Sequence, residues 1–146
     1  RDYEKLFPVL EELEIGFVAF SPLANGLLTT QYNSHAEFEK PGDYRSAMPQ
    51  FSEEGLKENE KFILWIRNLA EEKNATPAQI SLAWMSAKKP YIVPIPGTRK
   101  VSRLEENMKA SEIALTDDEV RKMDEMLAVM PMSQVFGGSK IKNIIK

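Results

Sequence analysis

Three cations, Arg99, Lys100 and Arg103, stand together just after a Pro96-Gly97-Thr98 turn. Guanidinium and ammonium groups form short, charge-assisted hydrogen bonds to phosphate oxygens, so the cluster is suited to an anion. Its placement adds to the case. The pattern predicts a helix with Ser102 as N-cap and Glu105, three residues on, completing a capping box. The cations then crowd the positive end of that helix, where they are disfavoured unless an anion is bound. A local rule broken where an element begins marks a candidate functional position. A solvated basic loop is the plainer alternative. The succession of strand, Pro-Gly stop, cations and capped helix favours the anion site.

The element before the cations is a strand. Tyr91, Ile92, Val93 and Ile95 are aromatic or β-branched, and the run reads as buried. An earlier stretch repeats this plan. Ile15, Phe17, Val18, Ala19 and Phe20 form a second buried strand, which stops at Ser21-Pro22-Leu23-Ala24-Asn25-Gly26. Pro and Gly there leave backbone N–H groups free at the carboxyl end of the strand. Two strands therefore end in the same way, each at a loop that favours an anion.

Helices fill the intervals. Leu6, Leu10 and Leu13 share a face over Tyr3–Leu13, provided that Pro8 lies in the first turn, and Gly16 serves as the exit signal. From Glu54 a helix buries Phe62, Ile66, Leu69 and Ala70 and ends at Lys73-Asn74. Thr76-Pro77-Ala78-Gln79 opens the next as a capping box, with Ile80, Ala83, Trp84 and Ala87 inward. Thr116 to Glu119 is another box, opening a helix that buries Val120, Met123, Met126 or Leu127, and Met130, and ends at Pro131. Residues 29–53 carry turn formers and little periodicity, and a loop of that length is usually functional or mobile. It holds His35, the only histidine, which reads as a surface residue, and Asp43, Tyr44 and Arg45, within reach of a ligand.

Composition bounds the function classes. The 146 residues suffice for one domain with a core. The net charge of -3 argues against nucleic-acid partners. No cysteine is present, so there is neither a disulfide nor a thiolate metal site, as suits a cytoplasmic protein. No run is long and apolar enough for a membrane helix. Strands alternating with helices imply parallel strands and right-handed crossovers, hence an α/β fold. Two strands do not finish a parallel sheet. Consecutive anion-friendly loops at strand carboxyl ends suit strands 7 and 8 of a (β/α)₈ TIM barrel, incomplete as given.

Four segments carry a family resemblance: LEELEIGFVAFSPLANG (10–26), GDYRS (42–46), ATPAQISLAW (75–84) and IVPIPGTRKVSRLEEN (92–107). Together they resemble the C-terminal half of an aldo-keto reductase, over residues 1–130. The resemblance implies a (β/α)₈ barrel that binds NADP(H) across the strand carboxyl ends. By similarity Phe20 lies against the nicotinamide. Ser21, Leu23, Asn25 and Gly26 hold the diphosphate region, with Pro22 shaping the loop. Thr98, Lys100 and Arg103 hold the 2′-phosphate beyond Pro96 and Gly97, and Glu106 and Asn107 the adenine. The implied substrate is a small carbonyl compound.

Departures from the family pattern set further expectations. The family's Asp, Tyr, Lys and His proton-donor set belongs to the first half of the barrel, and none of those motifs occurs here. No catalytic residue and no metal ligand is therefore expected in this chain. Its partner is a missing N-terminal half or a self-associated copy. The family's Pro-Arg-Phe stands here as Pro49-Gln50-Phe51, and the tail 131–146 reads as irregular. Two alternatives accompany the reductase reading: a non-catalytic nucleotide-binding or regulatory module of the same fold, and an inactive truncated product. The chain opens on Arg1, not Met, which suits a fragment.

Overall fold

The computed structural model describes residues 2–32, 38 and 43–129. His35, Met130, Pro131 and the tail lie outside them. The order is α1 (Phe7–Glu12), β1 (Phe17–Phe20), α2 (Glu53–Glu72), α3 (Pro77–Lys88), β2 (Ile92–Ile95), α4 (Val101–Met108) and α5 (Asp117–Val129). The strands pair in parallel, with Phe17 opposite Ile92 and Phe20 opposite Ile95. Both carboxyl ends therefore lie on one edge, as consecutive parallel strands require. No helix among the described residues is long and apolar enough to cross a membrane.

The two helix starts with capping boxes form as their sequences dictate. The Thr76 hydroxyl accepts from Gln79 N, and the Gln79 carboxamide oxygen accepts from Thr76 N at 2.9 Å. Thr116 and Glu119 reciprocate in the same way ahead of α5. Ser52 caps α2 through Gly55 N at 3.0 Å. The core sits between these helices. Phe62, Ile66, Leu69 and Ala70 of α2 meet Ile80 of α3 and Met123 of α5, with both tryptophans against them. The first turns of α3 are buried almost all round, since α2, β2, α4 and the turn Lys109–Glu112 pack on it.

Several expectations are corrected. The strands are not buried on both faces: Val18 and Phe20 are about 60 % exposed, and Val93 and Ile95 slightly less. One face of the pair packs on helices and the other is open. Burial on that second face depends on what covers it, and local sequence carries no such information. Helix α4 starts at Val101 with Lys100 as its N-cap, not Ser102, and no side chain caps it. The reason lies upstream, where the Thr98 hydroxyl accepts from Lys100 N at 3.2 Å and sets the start two residues earlier. After α1 the left-handed exit residue is Glu14 (φ 54), not Gly16. Helix α1 is shorter than expected, preceded by a 3-10 turn over Asp2–Leu6. Pro8 does fall in its first turn, but Leu6 and Leu13 are exposed. Ala87 is exposed as well.

The described residues of the long loop are more regular than its composition suggests. It contains 3-10 turns at Tyr44–Ala47 and Pro49–Phe51. A second core cluster of Leu27, Phe51, Leu56 and Ile63 anchors it, with Tyr32, Phe38 and Met48 packed around. Gly55 permits the approach: a Cβ there would stand 2.1 Å from the Pro49 carbonyl oxygen.

Candidate functional site

A cleft of about 520 Å³ opens where both strands end. Its first wall is the loop after β1. Four of its residues take left-handed backbone: Ser21 (φ 49), Ala24 (φ 47), Asn25 (φ 58) and Gly26 (φ 100). Only glycine adopts the last without strain. The loop is closed on itself, since Ala24 N donates to Ser21 O, Gly26 N to Leu23 O, and the Thr29 hydroxyl to Gly26 O at 2.7 Å. Pro22 is buried beneath it.

The second wall is the loop after β2 and the start of α4. It is open and charged. Arg99 and Lys100 are exposed and form no ion pair among the described residues. Arg103 is half-buried and donates to Glu106 at 2.7 Å. With no side-chain cap and no acidic residue in its first turn, α4 offers N–H groups and a positive dipole end to an anion. Gln79 holds this helix in place. While one end of its amide caps α3, its Nε2 donates to the Glu106 carbonyl at 2.8 Å. A glutamate would cap α3 as well but has no donor for α4.

Eleven of the thirteen expected cofactor residues line this one cleft: Phe20, Ser21, Pro22, Leu23, Asn25, Gly26, Pro96, Gly97, Thr98, Arg103 and Asn107. Lys100 and Glu106 do not. Lys100 is exposed outside the cleft, and Glu106 is turned to Arg103. The structure adds Thr29, Gln31, Tyr32, Tyr44, Ala78 and Ile95 to the lining. Of these only Tyr44 was marked by sequence, through its Asp-Tyr-Arg setting. The others reach the cleft by tertiary placement that no local pattern records.

The long loop is pinned beside the cleft through Arg45. Its guanidinium bonds both oxygens of Asp43, from Nε at 2.8 Å and from Nη2 at 2.5 Å. It also donates to the Tyr32 hydroxyl and lies 5.0 Å from the Tyr32 and Phe38 ring centres. The bonds to Asp43 push the Arg45 pKa up, so this cation stays charged and is engaged internally. Arg45 is a structural cation, in contrast to the exposed Arg99 and Lys100 on the other wall. Tyr44, beside it in the chain, donates to Asn25 Oδ1 at 3.2 Å. Asn25 Nδ2 is buried without a partner among the described residues. No group of His, Asp or Glu there is arranged to hold a metal ion. An orphaned amide donor on one wall and an uncapped, cation-flanked helix start on the other fit a ligand with anionic groups at two places.

Residues 1–128 match the family model described as Aldo/keto reductase family. The chain is 42 % identical over 123 residues to aldo-keto reductase str7 of Strobilurus tenacellus, covering 82 % of this chain and 36 % of that protein. It is 39 % identical over 114 residues to aldo-keto reductase yakc [NADP(+)] of Schizosaccharomyces pombe, covering 78 % and 33 %. The chain thus spans about a third of the length of these relatives. Among solved structures, the glycerol dehydrogenase AKR11B4 from Gluconobacter oxydans superposes with a TM-score of 0.79 at 24 % identity, over 94 % of this chain and 42 % of that one. That likeness concerns the fold, which is an incomplete (β/α)₈ barrel with two of its parallel strands among the described residues.

Proposed function

This chain belongs to the aldo/keto reductase family, and on that basis we propose that it supplies the cofactor-holding part of an NADP(H)-dependent reductase of aldehydes or ketones. The observation that carries the proposal is the single cleft shared by both strand-end loops, with a closed amide-bearing wall facing a cationic one. Phe20, exposed at the end of β1, offers its ring to the nicotinamide. Asn25 and its loop take the diphosphate. Thr98, Arg103 and the uncapped start of α4 take the 2′-phosphate, with the exposed Lys100 as a further cation beside them. Asn107 borders the adenine, and Glu106 holds Arg103 in place beside it. A relative named for NADP(+) supports this choice of cofactor.

When bound, the nicotinamide supplies a hydride to the carbonyl carbon. The forming alkoxide then needs a positioned acid, typically worth about 10²–10⁴-fold in rate. The two tyrosines lining the cleft are engaged in the loop: Tyr44 donates to Asn25, and Tyr32 accepts from Arg45. In this reading the acid comes from strands outside this chain. Those strands, or a second copy, would also cover the open face of Val18, Phe20, Val93 and Ile95. The proposed setting is the cytoplasm.

The test compares NADPH oxidation with a reactive aromatic aldehyde by this chain alone and by one extended at its amino end. The expected result is turnover by the extended chain only. Equal turnover would place the proton donor within these 146 residues, with Tyr44 the first to substitute.

A further inference from the structure

The loop after β1 holds a donor that its own fold leaves unused. A primary amide has an accepting and a donating end. In Asn25 the accepting end is taken by the Tyr44 hydroxyl at 3.2 Å. The donating end, Nδ2, is buried with no partner among the described residues. A buried N–H left without an acceptor is costly, and the few found in native proteins call for an explanation. With the Tyr44 hydroxyl bonded to Oδ1, the donating end is the one that stays free. Were its hydroxyl absent, the carboxamide would be able to turn over.

Tyr44 is in turn held from both sides along the chain. Asp43 and Arg45 lock together through two side-chain bonds and a third from Arg45 N to Asp43 Oδ1 at 3.1 Å. Arg45 then sits on the Tyr32 and Phe38 rings. The chain from Asp43 to Arg45 thus forms a bracket with the Tyr44 hydroxyl at its tip. Tyr44 as a whole residue is 62 % exposed, so packing does not account for its position.

We propose that Tyr44 is a positioning residue, which holds the Asn25 carboxamide with its NH₂ end directed to an acceptor oxygen of the cofactor's diphosphate. This rests on reading the cleft as an NADP(H) site. The diphosphate is the matching group because it is rich in acceptors and shared by both nicotinamide dinucleotides. The 2′-phosphate is assigned to the opposite wall, with Arg103. The two walls then have separable signatures. Loss of the Asn25 donor weakens NADPH and NADH alike, whereas loss of Arg103 weakens NADPH alone.

Calorimetric titration of both dinucleotides tests this on the wild-type chain and on Tyr44→Phe, Asn25→Ala, Asn25→Asp, Tyr44→Phe/Asn25→Ala and Arg103→Ala, with thermal unfolding of each. Tyr44→Phe is expected to weaken both by about three- to tenfold with an unchanged Tm, because only an exposed hydroxyl is lost. Adding it to Asn25→Ala should cost nothing further, since the two residues act as one unit. Asn25→Asp still accepts from Tyr44 but replaces the donor with a charge, and should bind worst. If Tyr44→Phe or Asn25→Asp binds both dinucleotides as wild type does, while Arg103→Ala still loses NADPH selectively, the positioning role is overturned and the cofactor reading stands. A Tm loss in Tyr44→Phe that parallels the affinity loss would assign Tyr44 to loop stability and also overturn the role. A wild-type chain that binds neither dinucleotide overturns both.

Discussion

The two walls of the cleft are built by opposite means. The loop after β1 is specified by conformation: four left-handed residues, internal hydrogen bonds, a buried proline and a long loop pinned beside it by Arg45. The loop after β2 is specified by charge. It is exposed and uncapped, and a Cβ added at Gly97 would meet nothing within 4 Å. In the proposed reading the first wall is shaped before any ligand arrives, and the second is completed by one. Substitutions that alter shape should therefore damage the first wall, and substitutions that alter charge the second.

The largest expected effect lies under the first wall. At Gly55 a methyl group would collide with the Pro49 carbonyl, which backbone cannot yield cheaply. Gly55→Ala should cost at least about 2 kcal/mol, even after the gain of about 1 kcal/mol in helix propensity. Thermal unfolding reads this directly. A stability equal to wild type would show that the long loop is not docked on α2 as described.

A pair of glycine substitutions sharpens the contrast. Gly26, at φ 100, faces the Tyr32 ring, and Gly26→Ala should cost about 1–2 kcal/mol in backbone strain. Gly97→Ala should fall within about 0.5 kcal/mol of wild type. Equal losses at the two sites would remove the distinction between the walls.

The smallest effect lies in neither wall. Burial, the largest single influence on the Glu119 carboxyl, raises its pKa, but bonds from Lys73 and Thr116 outweigh it and leave the value lowered. A lowered folded pKa stabilises the fold above the ordinary value of 4.5, and that stability is lost as pH falls through the folded value. Glu119→Gln should cost less than about 1 kcal/mol at pH 7, with the difference fading in acid. Chemical denaturation at pH 7 and pH 3 measures it, and a difference that grows in acid would contradict the pairing.

What was legible in the sequence follows the same divide. The capping boxes at Thr76 and Thr116 and the α2 stripe through Phe62 and Ile66 are local signals, and they appear as read. So does the convergence of both strand-end loops, because consecutive parallel strands must place their carboxyl ends together. Ser102 misled because a good N-cap residue is overruled when Thr98 has already taken the amide of Lys100. Gly16 misled because Glu14, not the nearest glycine, took the left-handed position. The exposure of Phe20 and Val93 depends on what covers that face, and the placement of Asp43 to Ala47 depends on Arg45 finding Tyr32 and Phe38. Neither is written in any window of the chain.

The most direct test of the central proposal isolates the charged wall. ADP-ribose and its 2′-phosphorylated form differ only in the group assigned to Arg103, Thr98 and the start of α4. Each charge-assisted bond contributes about 1.5–3 kcal/mol. Titrated against the wild-type chain, the phosphorylated form should bind more tightly by about tenfold or more, and Arg103→Ala should bring the two affinities together. Equal affinities for wild type, or a preference that survives Arg103→Ala unchanged, would contradict the assignment of this cleft to NADP(H).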